Sequence, residues 1–468
     1  MDLILVIAYF VVMLLVGWKS RHLSADAYWV AERSYRGGRI AVSLTATVFG
    51  ASSTMGIIGL GYSRGLTGAW WSLVGGLALI PFGFFLASRV RELKVYTLPD
   101  ILKRAYGDRV AVPAGLMIAV AWCGVVAAQL VAGGRLIAGL SPLDFQASLA
   151  IVAVVFTLYT FWGGQLSVIR TDLWQLVLFV GGLAVSLTFL AHWLLDAPAL
   201  FENVPQDHWR FPVSKGFGWY EVLVFYPLIV GLPFLVGPDI YSRVLCAKDG
   251  RGAKRASFQA AAAIIPLSFV LVFFGLMARA AFPEIPAESA LPEVLNTLIP
   301  IGLRGLIVAG FLGAIMSSAD TCLLSASTIL TLNVFGPVFG KNRPKELRIT
   351  RVTVLFLGAA AWIIAGSQKG IISSLLLGYT VFVGGVVFPT LATFLQGKIH
   401  VTPAGALWAI VIGGGTAILG KIQGGIGLRI VLTASGHHFL QGILGGHYAS
   451  LLPIILSISV MLLVSRFR

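Results

Sequence analysis

Apolar runs of about 17 to 25 residues recur from one end of this chain to the other, each long enough to cross a bilayer core as one helix. In lipid every backbone N–H and C=O must be paired within the spanning segment, so such runs fold as a packed helical bundle. Hydropathy marks about thirteen spans, near 3–18, 40–62, 69–88, 113–138, 146–163, 172–195, 217–242, 256–281, 300–334, 352–366, 371–396, 404–420 and 449–464. Of the 468 residues 57% are hydrophobic and 11% charged, and the 54 glycines are scattered, not gathered in a linker. That composition belongs to a polytopic membrane protein. The expectation is one all-α transmembrane domain over residues 1–468.

The net charge of +15 raises nucleic-acid binding, but the basic residues lie between spans and form no basic face. Topology accounts for them: with the N-terminus outside and the C-terminus in the cytoplasm, 25 of the 34 Lys/Arg fall on the inner side. Inner loops such as "KSRHLSADAYWVAERSYRGGR" and "RVLCAKDGRGAKR" read as orientation signals and headgroup contacts. The first run, preceded by an acid and lacking a cleavage pattern, reads as a retained helix. Cys123, Cys246 and Cys322 have no paired spacing and read as packing residues. "GPVFGKN" falls one residue short of a phosphate loop, and His437, His438 and His447 lack the acidic or thiol support of a metal site.

Two spans carry helix breakers at corresponding positions. One holds "FGASSTMGIIGLGYSRG" and the other "YPLIVGLPFLVGPD"; each opens a group of five spans, and an odd number per group sets the two copies in opposite orientations. Paired interrupted helices mark an inverted-repeat transporter and its midplane binding site.

Within "GFLGAIMSSADTCLLSAS", Ala314, Ser317, Ser318 and Thr321 follow the i, i+3, i+4, i+7 spacing of one helical face. Asp320 lies at the edge of that oxygen stripe. An acid at this depth is costly and normally faces a cavity or a partner. Hydroxyls, a carboxylate and the unclaimed carbonyls of a broken helix suit an alkali cation. Ser325 and Ser327 read instead as hydroxyls bonded back to their own helix. Asp172, in "GGQLSVIRTDLWQ", has two readings: an intramembrane functional acid, or, with Thr171, the cap of a helix opening at the surface. Gln129 and Arg135 either reach the cavity or satisfy themselves on backbone and interface. Trp70 and Trp71 serve an interfacial belt or a gate.

"AGFLGAIMSSADTCLL" resembles the signature helix of the sodium/solute symporter family, and "DAYWVAERSYRGG", "TMGIIGLGYSRG", "GGQLSVIRTDLWQ" and "GPDIYSRVLCAKDGRGAKR" resemble its other landmarks in the family's order. The resemblance implies the LeuT-type five-plus-five inverted repeat, with core repeats at about 40–195 and 217–396 and peripheral helices at 3–18, 404–420 and 449–464. It implies a sodium site from the carbonyls of Ala46 and Phe49 with Ala314, Ser317 and Ser318. It further implies a second cation site from Asp172, Ser317, Ser318, Asp320 and Thr321, where Asp320 departs from a hydroxyl in two-sodium members. Substrate positions carry over to Gly50, Ser52, Ser53, Trp71, Ser72 and Phe234, with Gln129 beside them. The function implied is not catalysis but sodium-coupled import of a small organic solute, an amino acid or a carboxylate, by a monomer in the plasma membrane. A half-helix N-terminus beside the pocket would suit a carboxylate. The rival readings are a proton-coupled transporter using Asp172 or Asp320, and a transporter-like sensor. The sensor is expected to need a signalling domain, and the chain stops just past its last span.

Overall fold

A computed structural model describes residues 1–340, 342–367, 370–422 and 451–466. Lys341 of "GPVFGKN", the three histidines at 437, 438 and 447, and most of the outer segment 421–448 lie outside the described residues. Among the described residues the only non-helical pairings are two isolated bridges, and ten helices are long and apolar enough to cross a membrane. Two of these helical runs exceed one crossing. Ser52–Glu92 turns at Gly65, and Phe145–Leu195 has 51 residues, roughly 77 Å at the helical rise against a bilayer core of about 30 Å.

The long helix accommodates its length by bending at Gly164 (φ 61, ψ −175). Only glycine suits that positive φ, and a Cβ there would also sit 2.5 Å from the Tyr28 ring. Tyr28 belongs to the first inner loop, whose residues Ala27 to Ala31 are buried. The loop read as a headgroup contact is thus tucked under the bundle, its Tyr28 hydroxyl donating to the Thr160 carbonyl at 2.8 Å. Aromatic side chains explain the difference, since Tyr28 and Trp29 gain more by burial than by lying in water.

The helix Leu303–Ile329 stands at the centre. Nearly every residue on it is buried, its polar face as well as its apolar ones, so it is surrounded by other helices on all sides. It packs on Phe145–Leu195 and on Asp108–Leu140. The first helix, Asp2–Lys19, buries Val6, Tyr9, Phe10, Met13 and Gly17 against this pair and turns Ile4, Ile7, Val11 and Leu15 outward, as a lipid-facing helix does. Asp2 anchors it by accepting from the N–H groups of Gly302 (2.5 Å) and Gly305 (2.9 Å) and pairing with Arg304 at 2.7 Å.

Both interrupted helices occur where the breakers stand. The first runs as Gly37–Val48, leaves helical geometry at Phe49, makes a wide turn over Ser52–Gly56 and resumes as Ile57–Arg64. The second runs through Glu221–Gly231 and Leu232–Val236, becomes extended at Gly237 (φ −63, ψ 139) and restarts as Pro238–Leu245. Pro238 at the first helical position loses no bond by lacking an N–H. Pro403–Ala409 and Leu452–Arg466 pack on each other away from these breaks. The three cysteines are buried and unpaired.

Candidate functional site

The first break exposes oxygen atoms. The Phe49 N–H still closes onto the Thr45 carbonyl at 3.1 Å, but among the described residues no backbone N–H reaches the carbonyls of Ala46 or Phe49. Ser318, from the central helix, donates to the Thr47 carbonyl at 2.5 Å, which seats the serine pair against the break. Ala314 and Ser317 lie within one turn of it, both buried. Gln129 completes the join by accepting from the Ala51 N–H at 2.7 Å. A Cβ on Gly50 would stand 2.5 Å from Ser318 Oγ and 2.6 Å from Gln129 Oε1, so the approach requires glycine. Carbonyls and hydroxyls are the donor types that suit a hard cation.

Asp172 lies beside this set, inside its helix and fully buried, so it does not cap a helix at the surface. Its Oδ1 accepts from Ser317 at 2.7 Å, its Oδ2 accepts from Ser43, and the guanidinium of Arg243 lies 3.6 Å from Oδ2. Arg243 is itself fully buried. It donates to Thr47 Oγ1 at 3.1 Å, to Gln165 Oε1 and to Thr321 Oγ1. One side chain from just beyond the second break therefore ties together the first broken helix, the kinked helix and the central helix. Its multiple hydrogen bonds and its carboxylate partner offset the cost of burying the charge.

Asp320 is brought near this cluster but not into it. Its Oδ1 accepts from Thr160 at 2.8 Å, and its Oδ2, fully buried, has no hydrogen-bond partner among the described residues. Thr321 bonds back to the Ser317 carbonyl at 2.7 Å as well as receiving Arg243. Ser327 bonds back to Leu323 at 2.6 Å, whereas Ser325 Oγ is buried without a partner.

A small cavity opens between the two breaks. Gly50, Ser52, Ser53, Trp71, Gln129 and Phe234 all line it, and Ser318 joins it to the oxygens of the first break. Ser72 does not line it, and its buried hydroxyl is unpartnered. The volume is about 20 Å³, room for about one water, so a solute enters only when the walls part. Trp71 packs edge-on against Tyr226 with ring centres 5.9 Å apart. Trp70 stacks on Phe211 and donates to the Pro212 carbonyl at 2.9 Å, away from the cavity. Arg135 pairs with Glu288, whose other oxygen accepts from the Ile371 N–H at 3.3 Å, so this arginine fastens one end of the bundle.

Six residues were not singled out by the sequence: Ser43, Thr47, Thr160, Gln165, Asp239 and Arg243. By sequence Arg243 reads as a loop cation and Asp239 as part of a break. The available signal was their position within one short helix after a Gly-Pro break, where an ionisable residue is still at membrane depth. Ser43, Thr47, Thr160 and Gln165 offered no signal beyond being polar in an apolar span.

The sequence profile described as "Sodium:solute symporter family" matches residues 28–413. The chain is 27% identical to human sodium/glucose cotransporter 4 over 90% of its own length and 69% of that protein's. It is also 27% identical to rabbit (Oryctolagus cuniculus) sodium/myo-inositol cotransporter 2, over 88% of this chain and 68% of the other. Against the Drosophila melanogaster high-affinity choline transporter 1 the identity is 27%, over 89% and 71%. Among solved structures it superposes on a substrate-bound, outward-open Na+-coupled sialic acid symporter with TM-score 0.72 at 19% identity, covering 100% of this chain and 98% of that one. A nucleobase-cation-symport-1 family transporter in a closed conformation gives 0.60 at 14%, covering 94% of each.

Proposed function

The chain belongs to the sodium:solute symporter family, and from that premise we propose that it is a sodium-coupled symporter importing a small organic solute by alternating access. Its fold is the LeuT-type inverted repeat expected from the sequence.

The observation that carries the proposal is the contact of Ser318 with the Thr47 carbonyl, because the same few residues border both the oxygen cluster and the cavity. Sodium held by the carbonyls of Ala46, Phe49 and Ala314 and the hydroxyls of Ser317 and Ser318 links the first broken helix to the central one. Gly50 and Gln129 then stand fixed in the cavity wall. Sodium thereby favours the solute-binding state through its differential affinity for the two conformations. A membrane potential of 100 mV adds roughly 2.3 kcal/mol per charge to the driving force. Since Arg243 already serves Asp172 as a cation, the reading supported is one sodium per cycle, with the set Asp172, Ser317, Ser318, Asp320 and Thr321 closed to a second ion in this conformation.

The solute expected from the sequence is an amino acid or a carboxylate. Relatives named for glucose, myo-inositol and choline lend that class no support, and the acid Asp239 in the cavity wall opposes a solute whose only charge is negative. The solute we infer is small, polar and without net negative charge. A second reading, proton coupling, is favoured by one observation: the unpartnered Oδ2 of Asp320. Uptake into proteoliposomes separates the two. A sodium gradient without a proton gradient is expected to drive accumulation, and accumulation that follows the proton gradient regardless of sodium overturns the assignment.

A further inference from the structure

Of the side chains lining the cavity, Asp239 is the one that carries a formal charge. It stands in the first turn of Pro238–Leu245, at the N-terminal end of that half-helix. The half-helix N-terminus that would receive a solute carboxylate carries an acid of the chain itself in its first turn, which favours a negative charge there less. Among the described residues no cationic side chain lies within ion-pair distance of Asp239. Arg243, four residues on, is committed to Asp172, Gln165, Thr47 and Thr321. The aromatic rings of Trp71, Phe234 and Tyr379 share the cavity wall with it.

We propose that the solute carries a positively charged nitrogen, an ammonium or quaternary ammonium, held between Asp239 and these rings. The inference rests on the reading of this cavity as the solute site. A partly buried carboxylate in a cavity wall with no ion-pair partner is costly, and a cationic group delivered by the solute removes that cost. Aromatic faces attract the same group through their quadrupoles, more strongly once water is excluded. A polyol fits less well, because its hydroxyls would leave the carboxylate charge uncompensated.

The test uses the purified full-length protein and follows thermal stability with sodium or with potassium as the only alkali cation. The probes are choline, its uncharged isostere 3,3-dimethylbutan-1-ol, ethanolamine, myo-inositol and propionate. We expect choline or ethanolamine to raise Tm, more in sodium than in potassium, and the uncharged isostere to have no effect. In Asp239→Asn, which keeps the shape of the side chain and removes its charge, the apparent affinity for the cation is expected to fall at least ten-fold. Stabilisation by myo-inositol, propionate or the isostere equal to that by the cations overturns the proposal, as does a cation response unchanged in Asp239→Asn or no response to either cation. The isostere comparison needs no variant and decides the matter even where Asp239→Asn does not fold. Sodium-enhanced binding of myo-inositol alone removes the charge assignment and leaves sodium coupling standing. Cation binding indifferent to sodium keeps the charge assignment and removes the coupling.

Discussion

Two fully buried carboxylates bridge the same pair of helices in reciprocal fashion: Asp172 of the kinked helix accepts from Ser317 of the central one, and Asp320 of the central helix accepts from Thr160 of the kinked one. The two lie on opposite sides of the Gly164 bend and are served very differently. Asp172 has a second hydroxyl, Ser43, and the guanidinium of Arg243; Asp320 has one hydroxyl and an orphan oxygen. An acid buried with its counter-charge is an anchor whose state resists change. An acid buried half-paired has capacity left for a proton.

The largest expected effect comes from breaking the anchor. Arg243→Gln leaves Asp172 charged, buried and unpaired, and loss of one member of such a pair costs about 3–5 kcal/mol. Detergent-solubilised protein should melt well below the wild type, and Asp172→Asn in the same chain should restore most of the loss. Failure of the double variant to recover would place the role of Arg243 in its contacts with Gln165, Thr47 and Thr321, not in the charge pair. Next in size is Ser317→Ala, which removes a proposed sodium ligand and a donor to Asp172 together. A loss of about 1–2 kcal/mol corresponds to a five- to thirty-fold rise in the sodium concentration for half-maximal uptake. An unchanged sodium titration would exclude Ser317 from the site. Smaller still, Thr160→Val takes away the one donor to Asp320, at a cost of about 1 kcal/mol in stability. Its sodium dependence should match the wild type if the two acids act independently.

The contrast between the acids also marks what the sequence displays. The spans, both breaks and the serine face follow from hydropathy, from glycine and proline, and from helical spacing, all of which act over neighbouring residues. Gly50, Ser52, Ser53, Trp71, Gln129 and Phe234 line one cavity, whereas Ser72 falls outside its wall. Arg243 and Asp239 were legible as residues but not as roles. The reach of a long side chain from one helix to three others depends on how the helices cross, and no local pattern records that. The choice of Thr160 and Ser43 as partners is likewise a product of the bend at Gly164 and of helix packing. Neighbouring polar residues such as Ser148 and Ser325 look no different in the sequence and remain unpartnered.

Asp320→Asn is the mildest substitution and the most discriminating between the two couplings. The amide keeps the shape of the carboxylate, and its oxygen still accepts from Thr160, so stability should stay within about 0.5 kcal/mol of the wild type. What it removes is the ability to take up or release a proton at the orphan oxygen. Under sodium coupling through Ser317, Ser318 and the carbonyls of the break, uptake by the variant keeps the wild-type sodium titration, within about two-fold, which is only about 0.4 kcal/mol. Its pH profile at a fixed sodium gradient also stays that of the wild type. Under proton coupling the variant loses accumulation driven by an imposed proton gradient, and its uptake becomes flat with pH where the wild type is not. The sign is fixed by the chemistry: a carboxylate that carries a proton inward must load on the acidic side, so wild-type uptake would rise as the outer pH falls and the amide would not follow. Parallel profiles for the two proteins leave Asp320 as a packing acid and the Asp172 cluster, with its serine neighbours, as the seat of coupling.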